Sequence, residues 1–169
     1  MDLQTDIAAR KERWRRFLAN DEAPRFMYFI LCDDPSGEKQ NVMAKPQMWR
    51  ELKQERIEWA WQSYEAMMET AAWRKDDFVP HMSMVTGTEI FAEAFGCPVH
   101  RFDDSPPCAL PLIKSAAEVS KIKVPELSTS TLAILFEMAD ELARRGGPEA
   151  AFKMVDVQSP MDVAALIWE

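Results

Sequence analysis

VDVQSPMDVAALIWE, residues 155–169, reads as a buried strand that turns directly into a helix. Val155 and Val157 stand in a short β-branched run after Lys153 and Met154. Gln158-Ser159-Pro160 breaks that run, and an apolar helical pattern extends from Asp162 to Glu169. A helix of about two turns is marginal in water without tertiary packing. This stretch therefore predicts that the residues are the opening portion of a larger fold.

Working back from it, FKMVDV (152–157) is the last of three expected strands. The preceding helix carries Leu132, Leu135, Phe136, Ala139, Leu142 and Ala143 on one face, and Gly146-Gly147-Pro148 closes it. Pro125 separates it from a short helix over Ala116–Ile122. Between 97 and 115 the chain carries Pro98, Pro106, Pro107 and Pro111, which excludes regular helix and predicts a stiffened excursion. TEIFAEAFG (88–96) is a short helix with Thr88 as N-cap and Gly96 as stop. DDFVPHMSM (76–84) is the second expected strand.

Further upstream, a long helix opens near Pro46 and runs to about Arg74. Trp49, Leu52, Ala60, Tyr64, Met67 and Ala71 recur on it at spacings of three and four. Trp59, Trp61 and Trp73 widen that face, which reads as sheet packing more readily than as a ligand stack. RFMYFIL (25–31) is a continuous apolar run, expected to be the first strand and buried on both faces. DIAARKERWRRFLAN precedes it as a surface helix with Ile7, Trp14, Phe17 and Leu18 in a stripe and its arginines on a solvated face. Strands joined by long helical crossovers are expected to be parallel neighbours with right-handed connections.

Composition narrows the function classes. The chain has 169 residues, 47% of them hydrophobic and 28% charged, as expected of one globular domain spanning 1–169. Its net charge of -8 argues against nucleic acid as a partner, because that affinity is built from cations that displace phosphate counterions. No apolar run reaches membrane-spanning length and no signal-peptide pattern opens the chain. Three cysteines, Cys32, Cys97 and Cys108, form an odd set without a CxxC pair, which points to a cytoplasmic protein with reduced thiols. Cys97, His100 and Cys108 have zinc-competent chemistry, but no fourth ligand is evident and no metal site is assigned to them.

The segment VPHMSMVTGTEIFAEAFGCPVHRFDDSPPCALPLIKSAAEVSKI (79–122), followed after a helix by VDVQSPMDVAALIW (155–168), resembles the uroporphyrinogen decarboxylase superfamily. The similar pieces are the helix end Ala94-Phe95-Gly96, the proline-bearing loop reaching Pro111, the Glu118-Val119 pair and the turn Ser159-Pro160-Met161. RWRRFLANDEAPRFMYFI (13–30) is similar to the family's helix leading into its first strand. The resemblance implies an α/β fold, a partial (β/α)8 TIM barrel holding an amino-terminal helix and the first three parallel strands with their helices. Complete barrels typically need about 250 residues. It further implies lyase-type decarboxylation in tetrapyrrole metabolism, or the zinc- and corrinoid-dependent methyl transfer of a related branch, with the activity residing in a longer parent and these residues inactive alone. The family's arginine- and glycine-rich carboxylate-binding signature falls here on CDDPSGEKQ, which is acidic and would repel an anionic tetrapyrrole. Its catalytic aspartate falls on Gly87, so that carboxylate is either absent or displaced to Glu89.

In such a barrel the working groups lie at the carboxyl ends of strands. That places Asp33 and Asp34 after strand one, and Gln158 and Asp162 after strand three, as substrate-binding candidates. His81 and Glu89, around strand two, are the catalytic candidates. An unperturbed imidazole suits general acid or base work, which makes His81 a candidate, although a histidine on a strand is commonly a satisfied core residue. Glu89 and Asp162 each also fit the bland role of an acid complementing the first turn of a helix. No cofactor is implied by these residues. The expected partner is a small-molecule substrate, with no nucleic acid and no membrane. A third reading is a non-catalytic fragment whose open sheet edges pair with another copy or a complementing remainder, since uncovered edges attract strands.

Overall fold

A computed structural model describes residues 2–19, 26–37, 40–46, 53–84, 86–87, 89–102 and 105–169. Helix α1 spans Leu3–Leu18 and α2 spans Lys53–Trp73. Strand β1 (His81–Met82) and helix α3 (Glu89–Ala94) follow, then β2 (Val99–His100) and β3 (Cys108–Ala109). A 3₁₀ segment, Ala116–Lys121, leads to α4 (Ala133–Gly146), β4 (Ala151–Phe152) and α5 (Pro160–Ile167).

The expected strands at 76–84 and 152–157 meet only over β1 and β4, which pair in parallel with His81 opposite Ala151 and Met82 opposite Phe152; the rest of 152–157 is not strand, and Met154 and Val157 are exposed rather than buried. Lys153 N donates to Met82 O at 2.8 Å and prolongs the contact by one bond. A parallel pair with an intervening helical crossover is common to a (β/α)8 barrel and a doubly wound sandwich. On one face of this pair, Ile57 and Ala60 of α2, Ile90 of α3, and Met138 and Leu142 of α4 bury Met82. Trp59, Trp61 and Tyr64 pack around that core, so these aromatics of α2 serve packing. A smaller core joins Ala92, Cys97, Ile113 and Ile167, where α5 docks through Leu112 N and Ile113 N, both donating to Ile167 O at 2.9 Å. No helix among the described residues is long and apolar enough to cross a membrane.

Three expectations require correction. The run 26–31 is neither a ladder strand nor buried on both faces: Phe26 is 90% exposed and Leu31 95%. Two buried carboxylates and one backbone N–H bond to it in place of a ladder. Tyr28 N donates to Asp77 Oδ2 at 3.2 Å and Ile30 N to Asp76 Oδ2 at 3.0 Å, while Asp77 N donates to Tyr28 O. The parallel ladder among the described residues therefore has two members rather than three. Second, the excursion at 97–115 contains an antiparallel hairpin, with Val99 opposite Ala109 and His100 opposite Cys108. Third, the basic face of α1 is not wholly solvated. Arg10 is buried, and its guanidinium donates to the Ala71, Arg74 and Phe78 carbonyls and to Asp6 Oδ2. It satisfies carbonyls that the end of α2 leaves without helical partners. Phe17 and Leu18 of the expected apolar stripe are exposed instead. The expected N-cap Thr88 and the opening of the long helix over 47–52 lie outside the described residues.

Candidate functional site

The chain leaving the carboxyl end of β1 passes through Ser83, Met84, Thr86 and Gly87 before α3 begins at Glu89. Glu89 is only 2% exposed. Its carboxylate folds back over Gly87, where any side chain would collide with it, so glycine is the residue that admits this arrangement. Glu89 lines a cavity of about 250 Å³ together with Lys45, Arg56, Thr86, Gly87, Pro106 and Pro107. Arg56 projects from α2, is 3% exposed, and is fixed by a 2.7 Å bond from Nη1 to Pro46 O. Lys45, just upstream, is solvent-exposed.

Burial dominates the electrostatics of this cavity. It pushes the Glu89 carboxyl above its ordinary range, helped by the neighbouring Glu93 charge; the Glu89 backbone N–H, Arg56 and Arg101 pull the other way. Burial likewise pushes the Arg56 guanidinium down to about 10, against the attraction of Glu89. Lys45 is lowered by burial and by the like charge of Arg56. Glu89 Oε2 and Thr86 Oγ1 are both buried and have no hydrogen-bond partner among the described residues. Leaving such an atom unsatisfied costs about 1–3 kcal/mol, a cost that a ligand can relieve. The result is a buried carboxyl group, raised in pKa by its burial, beside two cations.

The other candidates are not brought to this cavity. His81 lies half-buried on β1, with Nδ1 3.0 Å from Val79 O and its ring 5.6 Å from that of Phe78. Asp33 and Asp34 line a separate cavity of about 800 Å³ with Cys32, Trp73 and Arg74. Asp34 accepts from Ser36 N and Oγ at 2.8 and 2.6 Å, which lowers its pKa and shapes the turn. Gln158 lines a third, apolar cavity of about 540 Å³ beside α5. Asp162 is a capping residue: Ser159 N donates to its Oδ2 at 3.1 Å and Asp162 N donates to Ser159 Oγ at 3.2 Å. Cys97 is buried, which pushes its thiol up, and the described residues hold no group of three or more His, Cys, Asp or Glu arranged for a metal.

Sequence reading reached Glu89 but not Lys45 or Arg56. Arg56 had a usable signal, since it interrupts the apolar stripe at a spacing of four between Leu52 and Ala60. Lys45 had none. Thr86 also lines a groove of about 450 Å³ between the outgoing ends of β1 and β4, where Ser83, Met84 and residues 153–157 face one another. The Glu89 cavity and this groove thus share a wall at the carboxyl ends of parallel strands, where ligands of α/β folds commonly bind. Protein-family models, curated proteins and solved structures contain no match to this chain.

Proposed function

We propose that this protein is a cytoplasmic, uroporphyrinogen decarboxylase-like lyase whose residues form part of a (β/α)8 barrel, and that Glu89 is its proton donor. The observation that supports this reading is the buried Glu89 carboxylate, which fills the space beside Gly87, the position at which the resemblance puts the family's acid. Three free thiols, Cys32, Cys97 and Cys108, support the compartment. In the proposed reaction the bond between a substrate carbon and its carboxylate breaks and carbon dioxide leaves. The electron pair remains on that carbon, delocalised into an adjacent carbonyl or ring of the substrate itself. Glu89 gives its proton to the carbon and is reprotonated by solvent. A raised carboxyl pKa favours the protonated form that general acid catalysis requires.

The test is carbon dioxide release by the full chain from acids with an activated carbon beside the carboxyl group, malonate and acetoacetate among them, in heavy water. The reading expects one deuterium in the product per turnover and loss of release in Glu89→Gln. Turnover unchanged in that variant, or no release from any acid, contradicts it.

A second reading is favoured by the exposed apolar side chains Phe26, Leu31 and Met154: open flanks of the β1–β4 pair associate with a second copy or with further chain. Sedimentation at rising concentration tests it, and a monomer throughout contradicts pairing with a second copy.

A further inference from the structure

We infer that Lys45 and Arg56 anchor a carboxylate that the substrate keeps, so that the Glu89 cavity selects a small acid carrying at least two carboxylates, one lost and one retained. This rests on the reading of Glu89 as a proton donor and adds the substrate class to it. The two cations come from separate stretches of chain and converge on one cavity, Lys45 exposed to solvent and Arg56 buried. The cationic wall therefore runs from solvent inward. Arg56 is held in place by Pro46 O, so its guanidinium is oriented before any ligand arrives. The hydroxyl of Thr86, buried and without a partner among the described residues, supplies a further hydrogen-bonding group on the same wall. A carboxylate oxygen between such donors makes charge-assisted bonds, roughly twice as strong as neutral ones.

Charge and size both narrow the ligand. Among the described residues lining the cavity, Glu89 is the one carboxyl group, against the two cations Lys45 and Arg56. At about 250 Å³ the cavity is smaller than the ~300–1,000 Å³ typical of sites for drug-sized ligands. It admits a small acid and no macrocycle. Binding energy from the retained carboxylate is available to position the carbon that must receive the proton of Glu89.

The test is calorimetric binding of four probes to the full chain: malonate, propionate, propionamide and inorganic phosphate. The inference expects malonate to bind more tightly than propionate, propionamide not to bind, and Lys45→Met to weaken malonate by about tenfold. Lys45→Arg restores most of that loss, which separates charge from packing, and Glu89→Gln keeps the binding. Equal binding of malonate and propionamide, or no effect of Lys45→Met, overturns the inference. Phosphate binding tighter than malonate, and equally dependent on Lys45, overturns the dicarboxylate assignment in favour of a phosphate site. The two proposals fail separately. Lys45-dependent malonate binding without carbon dioxide release sinks the lyase reading alone, whereas Glu89-dependent release that ignores Lys45 sinks the anchor alone.

Discussion

The Glu89 carboxylate rests against the α-carbon of Gly87, where a methyl group would collide with Oε2 and come within 2.7 Å of the carboxyl carbon. The colliding atoms are the far end of a rotatable side chain, so the backbone need not yield. Gly87→Ala is therefore expected to change stability by no more than about 1 kcal/mol, since the lost freedom of the unfolded chain offsets part of the crowding. The same substitution displaces the carboxylate from its cavity and abolishes proton donation. Denaturant midpoints beside a deuterium-incorporation assay check the two halves, and a fully active Gly87→Ala contradicts the second.

A raised carboxyl pKa has a defined sign in stability. Above the ordinary glutamate value of 4.5 the unfolded chain releases its Glu89 proton while the folded chain keeps it. The folded state then binds more protons, so stability falls as pH rises through that window and on to the raised value. The charges facing Glu89 are Glu93, Arg56, Arg101 and Lys45, and all four remain in Glu89→Gln. Unfolding measured at a series of pH values is expected to show wild type losing stability relative to this variant as pH rises. Parallel curves contradict the assignment.

Asp77 joins three parts of the fold. It is fully buried, accepts from Arg13 Nε at 2.9 Å and Tyr28 N at 3.2 Å, and its carbonyl accepts from Trp14 Nε1 at 2.7 Å. Asp77→Ala strips the carboxylate from partners that stay in place, and is expected to cost about 3 kcal/mol. Asp77→Asn keeps the shape and loses the charge, and its cost is expected to lie between. Urea denaturation checks the order.

Gly146, the last residue of α4, packs against the centre of the main core. A methyl group there would strike Met82 Cε and approach the Ala150 methyl to 2.7 Å. Met82 has no exposed surface to retreat into. Gly146→Ala is expected to destabilise by about 1–3 kcal/mol through overpacking. A variant as stable as wild type contradicts the packing described.

What the sequence could and could not reveal follows from where each signal is stored. Helices α1, α2, α4 and α5 were legible because apolar spacing and punctuation by Gly146 and Pro160 are local. The capping box of Ser159 and Asp162 is likewise a local pattern. The run 26–31 misled because its composition matches a buried strand, while its Tyr28 and Ile30 N–H groups donate to the side chains of Asp77 and Asp76, some fifty residues away. Those bonds leave no trace in periodicity. The hairpin of β2 and β3 hid behind prolines, which rule out helix but say nothing of two-residue ladders. In the candidate site, Glu89 was visible from its place after a strand. Lys45 joins it through a tertiary approach that no spacing encodes.

The central claim is that Glu89 holds its proton where an ordinary glutamate would not. Carbon-13 NMR of glutamate-labelled protein, with Glu89→Gln to assign the resonance, measures this directly as a titration. The account predicts a midpoint above 4.5 for Glu89. A midpoint at or below that value would contradict it.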